Sequence, residues 1–128
     1  MQGKKMECPK CSSDFEQLQT PFGDVERCVD CKGLWIDRCE VESMKPLADV
    51  IDDGDEEVGK AFNAVDRISC PVCPNNKLLR LVDPQQPHIW FESCPTCKGR
   101  FYDAGEFKDL ATLDLSDFFK KFGLEERV

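Results

Sequence analysis

The chain has 128 residues, 41% of them hydrophobic, and a formal net charge of −8. No run approaches the roughly 18 apolar residues that cross a membrane, and the start, MQGKKMECPKCSS, has lysines but no apolar signal core. Those two features lead to the expectation of a cytoplasmic protein, and because an acidic chain repels phosphate, whose contacts dominate nucleic-acid affinity, general DNA or RNA binding is disfavoured.

The first element in chain order is a Cys-x-x-Cys pair, and it sets the plan. Eight of the nine cysteines form such pairs: Cys8/Cys11, Cys28/Cys31, Cys70/Cys73 and Cys94/Cys97, with Cys39 alone. An odd number in a chain without an export signal points to metal rather than disulfides. The stretch CVDCKGLWIDRCE (28–40) returns as CPTCKGRFYDAGE (94–106), each copy preceded by another pair. The chain therefore divides into a unit at 6–48, a connecting segment at 49–67, a second unit at 68–113 and a tail at 114–128. A unit of roughly 45 residues buries too little apolar surface to fold unaided, so each is expected to fold independently on its own metal.

In the first unit FEQLQT and DVERC flank PFG as a hairpin. Gly33 is expected to turn the chain with a positive φ, LWI to form a short strand, and Asp37 with Glu40 to cap a helix over 38–50. Six acidic residues in 49–57 predict a solvated linker near 52–55, followed by a helix over 56–67. In the second unit KLLRLV and HIWFES flank the turn DPQQPH, and Trp90 and Phe91 face opposite sides of a strand. Gly99, RFY, Asp103 and Glu106 then repeat the earlier sequence of signals into a helix over 104–113. Leu115, Phe118, Phe119 and Phe122 recur at helical spacing and predict a final helix over 115–122. Its apolar stripe would pack on the second unit, pair with a second copy as a homodimer, or dock in a partner's groove.

The expected fold class is a small metal-stabilised α+β protein. It comprises two tandem units, each of β-hairpin knuckles, a short strand and a following helix, with connecting and C-terminal helices. Two knuckles joined by a hairpin offer four thiolates at tetrahedral corners, a set that Zn²⁺ accepts readily. Cys8, Cys11, Cys28 and Cys31 are assigned to one ion and Cys70, Cys73, Cys94 and Cys97 to another, giving two Zn²⁺ per chain. An iron site of the same S₄ geometry is the rival ion. The spacer between the pairs is 16 residues in the first unit and 20 in the second, the surplus falling in DPQQPH, where extra loop length costs little. Trp35 and Phe101 are expected over the knuckles of their own units. Cys39 is read as a small, partly buried thiol and His88 as a surface residue. The carboxylates of Asp37, Glu40, Asp103 and Glu106 are read as helix caps rather than acid–base pairs.

The stretches CPKC…CVDCKGLWIDRCEVESM and CPVC…CPTCKGRFYDAGEFKDL resemble the bacterial zinc-ribbon family named after transcription factor IIB. The second copy departs from that family's pattern with Phe101 for Trp and Phe107 for Leu; the first departs with Cys39 for Gly and Val41 for Leu. The resemblance implies zinc ribbons, structural zinc, and a partner class in transcription or other gene-expression machinery. No catalytic constellation is present in the sequence, and a closed Cys₄ site has no position for a reacting water. The leading expectation is a non-enzymatic protein-interaction module. One alternative is a nucleic-acid-binding zinc finger using Lys77/Arg80 and Lys98/Arg100; another is a thiol- and zinc-based redox-responsive chaperone.

Overall fold

The computed structural model describes residues 7–37, 40–65, 68–73 and 75–121, the last seven of these by backbone alone. It shows a small α+β chain with antiparallel strands and two Cys₄ clusters. Strand β1 (Phe15–Thr20) turns back through Pro21 and Phe22 into β2 (Gly23–Cys28), with register from Phe15 opposite Cys28 to Thr20 opposite Gly23. The turn is held by the Thr20 hydroxyl, which donates to the Gly23 carbonyl at 2.7 Å and accepts from Phe22 N–H at 3.1 Å. Strand β3 (Leu34–Ile36) adds to β2. The second copy repeats this with β4 (Leu79–Val82), β5 (Trp90–Ser93) and β6 (Arg100–Tyr102). Its longer turn is organised by Asp83, whose carboxylate accepts the N–H groups of Gln85 and Gln86.

The two copies are not separate bodies. Strands β3 and β6 pair antiparallel, Leu34 with Tyr102, Trp35 with Phe101 and Ile36 with Arg100, giving one sheet in the order β1-β2-β3-β6-β5-β4. Trp35 and Phe101 hold the same place in the two copies, so an approximate two-fold axis passes through that pair. The independent folding expected from the repeat therefore gives way to a shared sheet.

Side chains alternate across the sheet, and each face carries one core. On one face Leu34, Ile36, Phe91 and Tyr102 meet Phe107 and Leu110. The latter two come from α4 (Glu106–Lys121), one helix where the sequence suggested two. The stripe of Leu115, Phe118, Phe119 and Phe122 lies outside the described side chains. The same face takes α1 (Val41–Met44), a 3₁₀ turn at Lys45–Leu47 and α2 (Ala48–Ile51), which replace the continuous helix expected over 38–50; Pro46 stands at the break. On the other face Trp35 and Phe101 lie among the cysteines of both clusters, with Ile68 and Leu78. Helix α3 (Glu56–Asn63) covers part of that face and ends before the predicted boundary.

The acidic linker is not wholly solvated. Asp52 is 1% exposed and accepts N–H groups of Gly105 at 2.8 Å and Lys108 at 2.9 Å, so a linker carboxylate caps α4. Asp103, expected to do this, turns elsewhere, and Glu106 accepts the Trp90 N–H at 3.1 Å instead of reaching back to a cap. Phe91 is buried and Trp90 is 39% exposed, the opposed pair the alternation requires. Within the described residues no helix is long and apolar enough to cross a membrane.

Candidate metal centres

All four Cys-x-x-Cys segments form the same kind of tight loop. The first cysteine donates its N–H to a carbonyl ahead: Cys8 to Ser13, Cys28 to Gly33 and Cys94 to Gly99, each five positions on, and Cys70 to Asn76, six on. The turn is completed by one residue in the left-handed region: Ser12 (φ 66°), Lys32 (65°), Asn75 (61°) and Lys98 (66°). In the third loop the residue after Cys73 is Pro74, whose ring forbids a positive φ, and the turn residue moves to Asn75. Positive φ thus falls one position before Gly33 and Gly99 rather than on them. Inside the loops backbone N–H groups point at sulfur: Cys28 Sγ accepts from Asp30 and Cys31, Cys70 Sγ from Val72 and Cys73, and Cys94 Sγ from Thr96 and Cys97, at 3.2–3.4 Å. Such donors stabilise thiolate charge.

The hairpins bring the loops together in the pairs the sequence suggested. Cys8, Cys11, Cys28 and Cys31 place their sulfurs within 4.8 Å of one another, and so do Cys70, Cys73, Cys94 and Cys97. A tetrahedron with Zn–S bonds of about 2.3 Å has edges of about 3.8 Å. The sulfur separations of 3.7 Å (Cys8–Cys31), 3.4 Å (Cys11–Cys28) and 3.8 Å (Cys70–Cys97) fit such a cage. The chemistry fits as well. Burial raises the Cys28 thiol to about 11 and the Cys70 thiol to about 12, while the bond from Cys8, then burial, pushes Cys31 up. In each quartet one thiol moves the other way, Cys11 and Cys94 to about 7, because burial is there outweighed by hydrogen bonds; one thiolate forms readily in each, and the raised neighbours need a cation to follow. The first quartet is the better sealed, with only Cys11 partly exposed; in the second, Cys73 is partly exposed and Cys97 exposed.

The aromatic residues bind the two centres into one structure. Trp35 reaches across to the loop of the other copy: a Cβ added to Gly99 would lie 2.3 Å from Trp35 Cζ2. Reciprocally, a Cβ on Gly33 would lie 2.2 Å from Phe101 Cζ. Each ring thus seats on the glycine of the opposite copy. Glycine is needed there for close approach, not for its φ.

A buried charge cluster makes a second link. Lys10, inside the first loop, has a fully buried side chain whose ammonium meets Asp103 Oδ2 at 2.9 Å and Glu92 Oε2 at 3.1 Å. It also donates to the Phe62 carbonyl of α3 at 3.0 Å and lies 5.7 Å from the centre of the Phe101 ring. The Glu92 contact is an ion pair rather than an aligned hydrogen bond, and Asp103 Oδ1 and Glu92 Oε1 have no hydrogen-bond partner among the described residues. Burial outweighs Lys10 and raises both carboxyls above their ordinary range. Beside them Arg80 bonds the Asn63 carbonyl and side chain and lies 5.1 Å from the centre of the Trp90 ring.

Lys10, Glu92 and Asp52 escaped the sequence reading. The signal for Glu92 was present, because VERC and FESC place a glutamate two residues before the third ligand of each copy. Cys39 lies outside the described residues, and His88 is exposed.

The comparisons agree with this geometry for the first copy. A family model described as "Transcription factor zinc-finger", a zinc ribbon of the IIB type, matches residues 7–46. The second Cys₄ cluster, within 70–97, lies beyond that match. No curated protein and no solved structure matches the chain. The two quartets and the family match support two Zn²⁺ per chain and a structural role for them.

Proposed function

We propose that the protein is a non-enzymatic adaptor of two tandem zinc ribbons that presents a rigid sheet to a protein partner in the transcription or gene-expression machinery. The eight paired cysteines would hold the ions, whose contribution is to neutralise thiolates and cross-link the loops. A site closed by four protein ligands leaves no position for a reacting water. The observation that most favours a binding role is the edge of the sheet. Strand β4 is terminal and leaves Leu79, Leu81 and Val82 exposed, with Trp90 exposed on the neighbouring strand. Soluble proteins usually blunt such an edge with charge, and apolar patches of this kind mark contact surfaces. Immobilised zinc-loaded chain, compared with an L79K/L81K variant, tests this in native lysate. A protein retained in stoichiometric amount by the first and lost with the second supports the proposal. Retention of nucleic acid alone at low salt would replace it with the zinc-finger alternative.

A further inference from the structure

A cavity of about 280 Å³ is lined by Gln17, Asp24, Glu26, Trp35 and Asp37 of the first copy and by Val72 from the second copy's first loop. Each of these residues has a counterpart in the other copy, and three of the counterparts, Glu92, Phe101 and Asp103, surround the buried ammonium of Lys10. By position in the repeat, Glu26, Trp35 and Asp37 correspond to Glu92, Phe101 and Asp103, and Asp24 to Trp90. Val72, third residue of its Cys-x-x-Cys loop, corresponds to Lys10 itself. The register completes the match, since Gln17 faces Glu26 as Arg80 faces Glu92.

The twin sites differ in one respect, and it is electrical. At the second copy's site Lys10, reaching in from the first copy, forms ion pairs with both Glu92 and Asp103, and the Arg80 charge also favours their ionised forms. At the first copy's site the two carboxylates remain and Asp24 adds a third, while Val72, from the second copy's loop, and Gln17 stand where the twin has cations. No basic side chain among the described residues lines the cavity.

Three carboxylates alone would say little. The ligand is indicated by the twin, where the same constellation holds an ammonium at 2.9 and 3.1 Å from its carboxylates and 5.7 Å from the centre of its ring. The first copy replaces that phenyl with an indole, the stronger partner for a cation. It also replaces the lysine with a side chain that ends well short of the carboxylates. A metal ion suits the cavity poorly: among the described residues only the two cysteine quartets bring their ligand atoms to metal-binding distance.

We propose that this cavity binds the ammonium group of a lysine side chain presented by a partner protein. The ammonium occupies the place by Glu26 and Asp37 that Lys10 takes by Glu92 and Asp103, and the alkyl stem passes over Val72. This deepens the adaptor reading and rests on it, giving the partner a chemistry.

The test uses the zinc-loaded full chain carrying W90F, which leaves Trp35 as its only indole. The probe is the capped tripeptide acetyl-Gly-Lys-Gly-amide, followed by ¹⁵N NMR. The lysine peptide should shift the Trp35 indole and the Glu26 and Asp37 amides saturably. Its Nε-acetyl and norleucine analogues should bind about tenfold more weakly or worse, the usual effect of losing a charge-assisted contact. E26Q and D37N should each weaken binding to a similar degree. V72K, which supplies from within the ammonium that Lys10 gives the twin site, should abolish the response and raise Tm. Absence of saturable shifts, equal shifts with the acetylated peptide or with Mg²⁺, or an undiminished response in V72K would overturn the proposal. So would a response that emerges only after Lys120, Lys121 and Arg127 are neutralised, because the occupant would then be the chain's own. A lysate protein retained equally by V72K and the parent would sink this inference while leaving the adaptor reading intact.

Discussion

Replacing Lys10 with methionine should cost the folded chain about 3–5 kcal/mol, the range for removing one partner of a buried ion pair. Methionine keeps the length and apolar character of the stem, so little of that loss comes from a cavity. It comes from what is left behind. Asp103 and Glu92, whose side chains are 2% and 3% exposed, would lose the one ammonium that contacts both, and the Phe62 carbonyl would lose a donor. Against a total stability of about 5–15 kcal/mol for a domain, this is a large fraction. Urea unfolding of zinc-loaded protein, followed by tryptophan fluorescence, measures it. The triple variant K10M/E92Q/D103N should recover most of the loss, because neutral amides tolerate burial better than unpaired carboxylates. The penalty should also shrink as pH falls, since both carboxyls already titrate above their ordinary range and protonation removes the unpaired charge. A loss below about 1 kcal/mol, or a triple variant no more stable than K10M, would refute the reasoning.

Cys28→Ser should broaden or displace NMR signals of both copies together, because Trp35 and Phe101 each seat on the opposite copy; selective loss of the first copy would show that the halves fold alone. Gly99→Ala should cost about 1–3 kcal/mol by overpacking against Trp35, and W35F should relieve part of it in a thermal melt of the double variant. The second quartet, with Cys97 exposed, should lose metal to a chelator before the first, which ¹¹³Cd NMR of cadmium-substituted protein resolves ion by ion. Burial, with Asp103, Asp109 and Glu92 nearby, raises Glu106 from 4.5 to about 7 against the opposing Trp90 N–H. Its contribution is therefore present below about pH 4.5 and lost as pH rises to about 7. After a discount for solvent, E106Q should gain about 1–2 kcal/mol on the parent across that interval, read from paired denaturation curves above the pH at which zinc leaves.

The two quartets were legible because coordination is local: a four-residue loop and a hairpin suffice to aim each sulfur, and both leave their signature within about 25 residues of chain. Strands β1 to β6 were legible for the same reason, each being flanked by turn residues or a ligand loop. What could not be read was the pairing of β3 with β6. LWI and RFY announce themselves as strands but not which edge they seek, and with each copy stapled by its own quartet nothing local demanded that they meet. The misplacement of Trp35 and Phe101 follows from this, since a ring can cross to the other copy's glycine only once those strands are paired. Asp103 was misjudged because a carboxylate before a helix reads as a cap in sequence. Here Asp52 takes the cap from outside, which frees Asp103 to meet Lys10.

A near-symmetric pair of halves makes its departures from symmetry informative, because packing that serves both copies equally cannot explain a residue kept in only one. The cations at the second copy's site have uncharged counterparts at the first copy's site: Lys10, from the first copy's loop, against Val72 of the second copy's loop, and Arg80 against Gln17. Helix α3 adds a third asymmetry by placing the Phe62 carbonyl on Lys10 and Asn63 on Arg80. The outcome is a sealed site in which Glu92 and Asp103 are 2% exposed, beside an open one in which Asp37 and Asp24 face solvent above the buried Trp35. Sealing one site fastens the first copy's loop to the second copy's strands and so serves stability. An open site with the same carboxylates and a larger ring contributes little to stability, since among the described residues no basic side chain lines it to offset their repulsion. The physical account that covers both is that one constellation is used twice, once to hold the chain's own lysine and once to receive another.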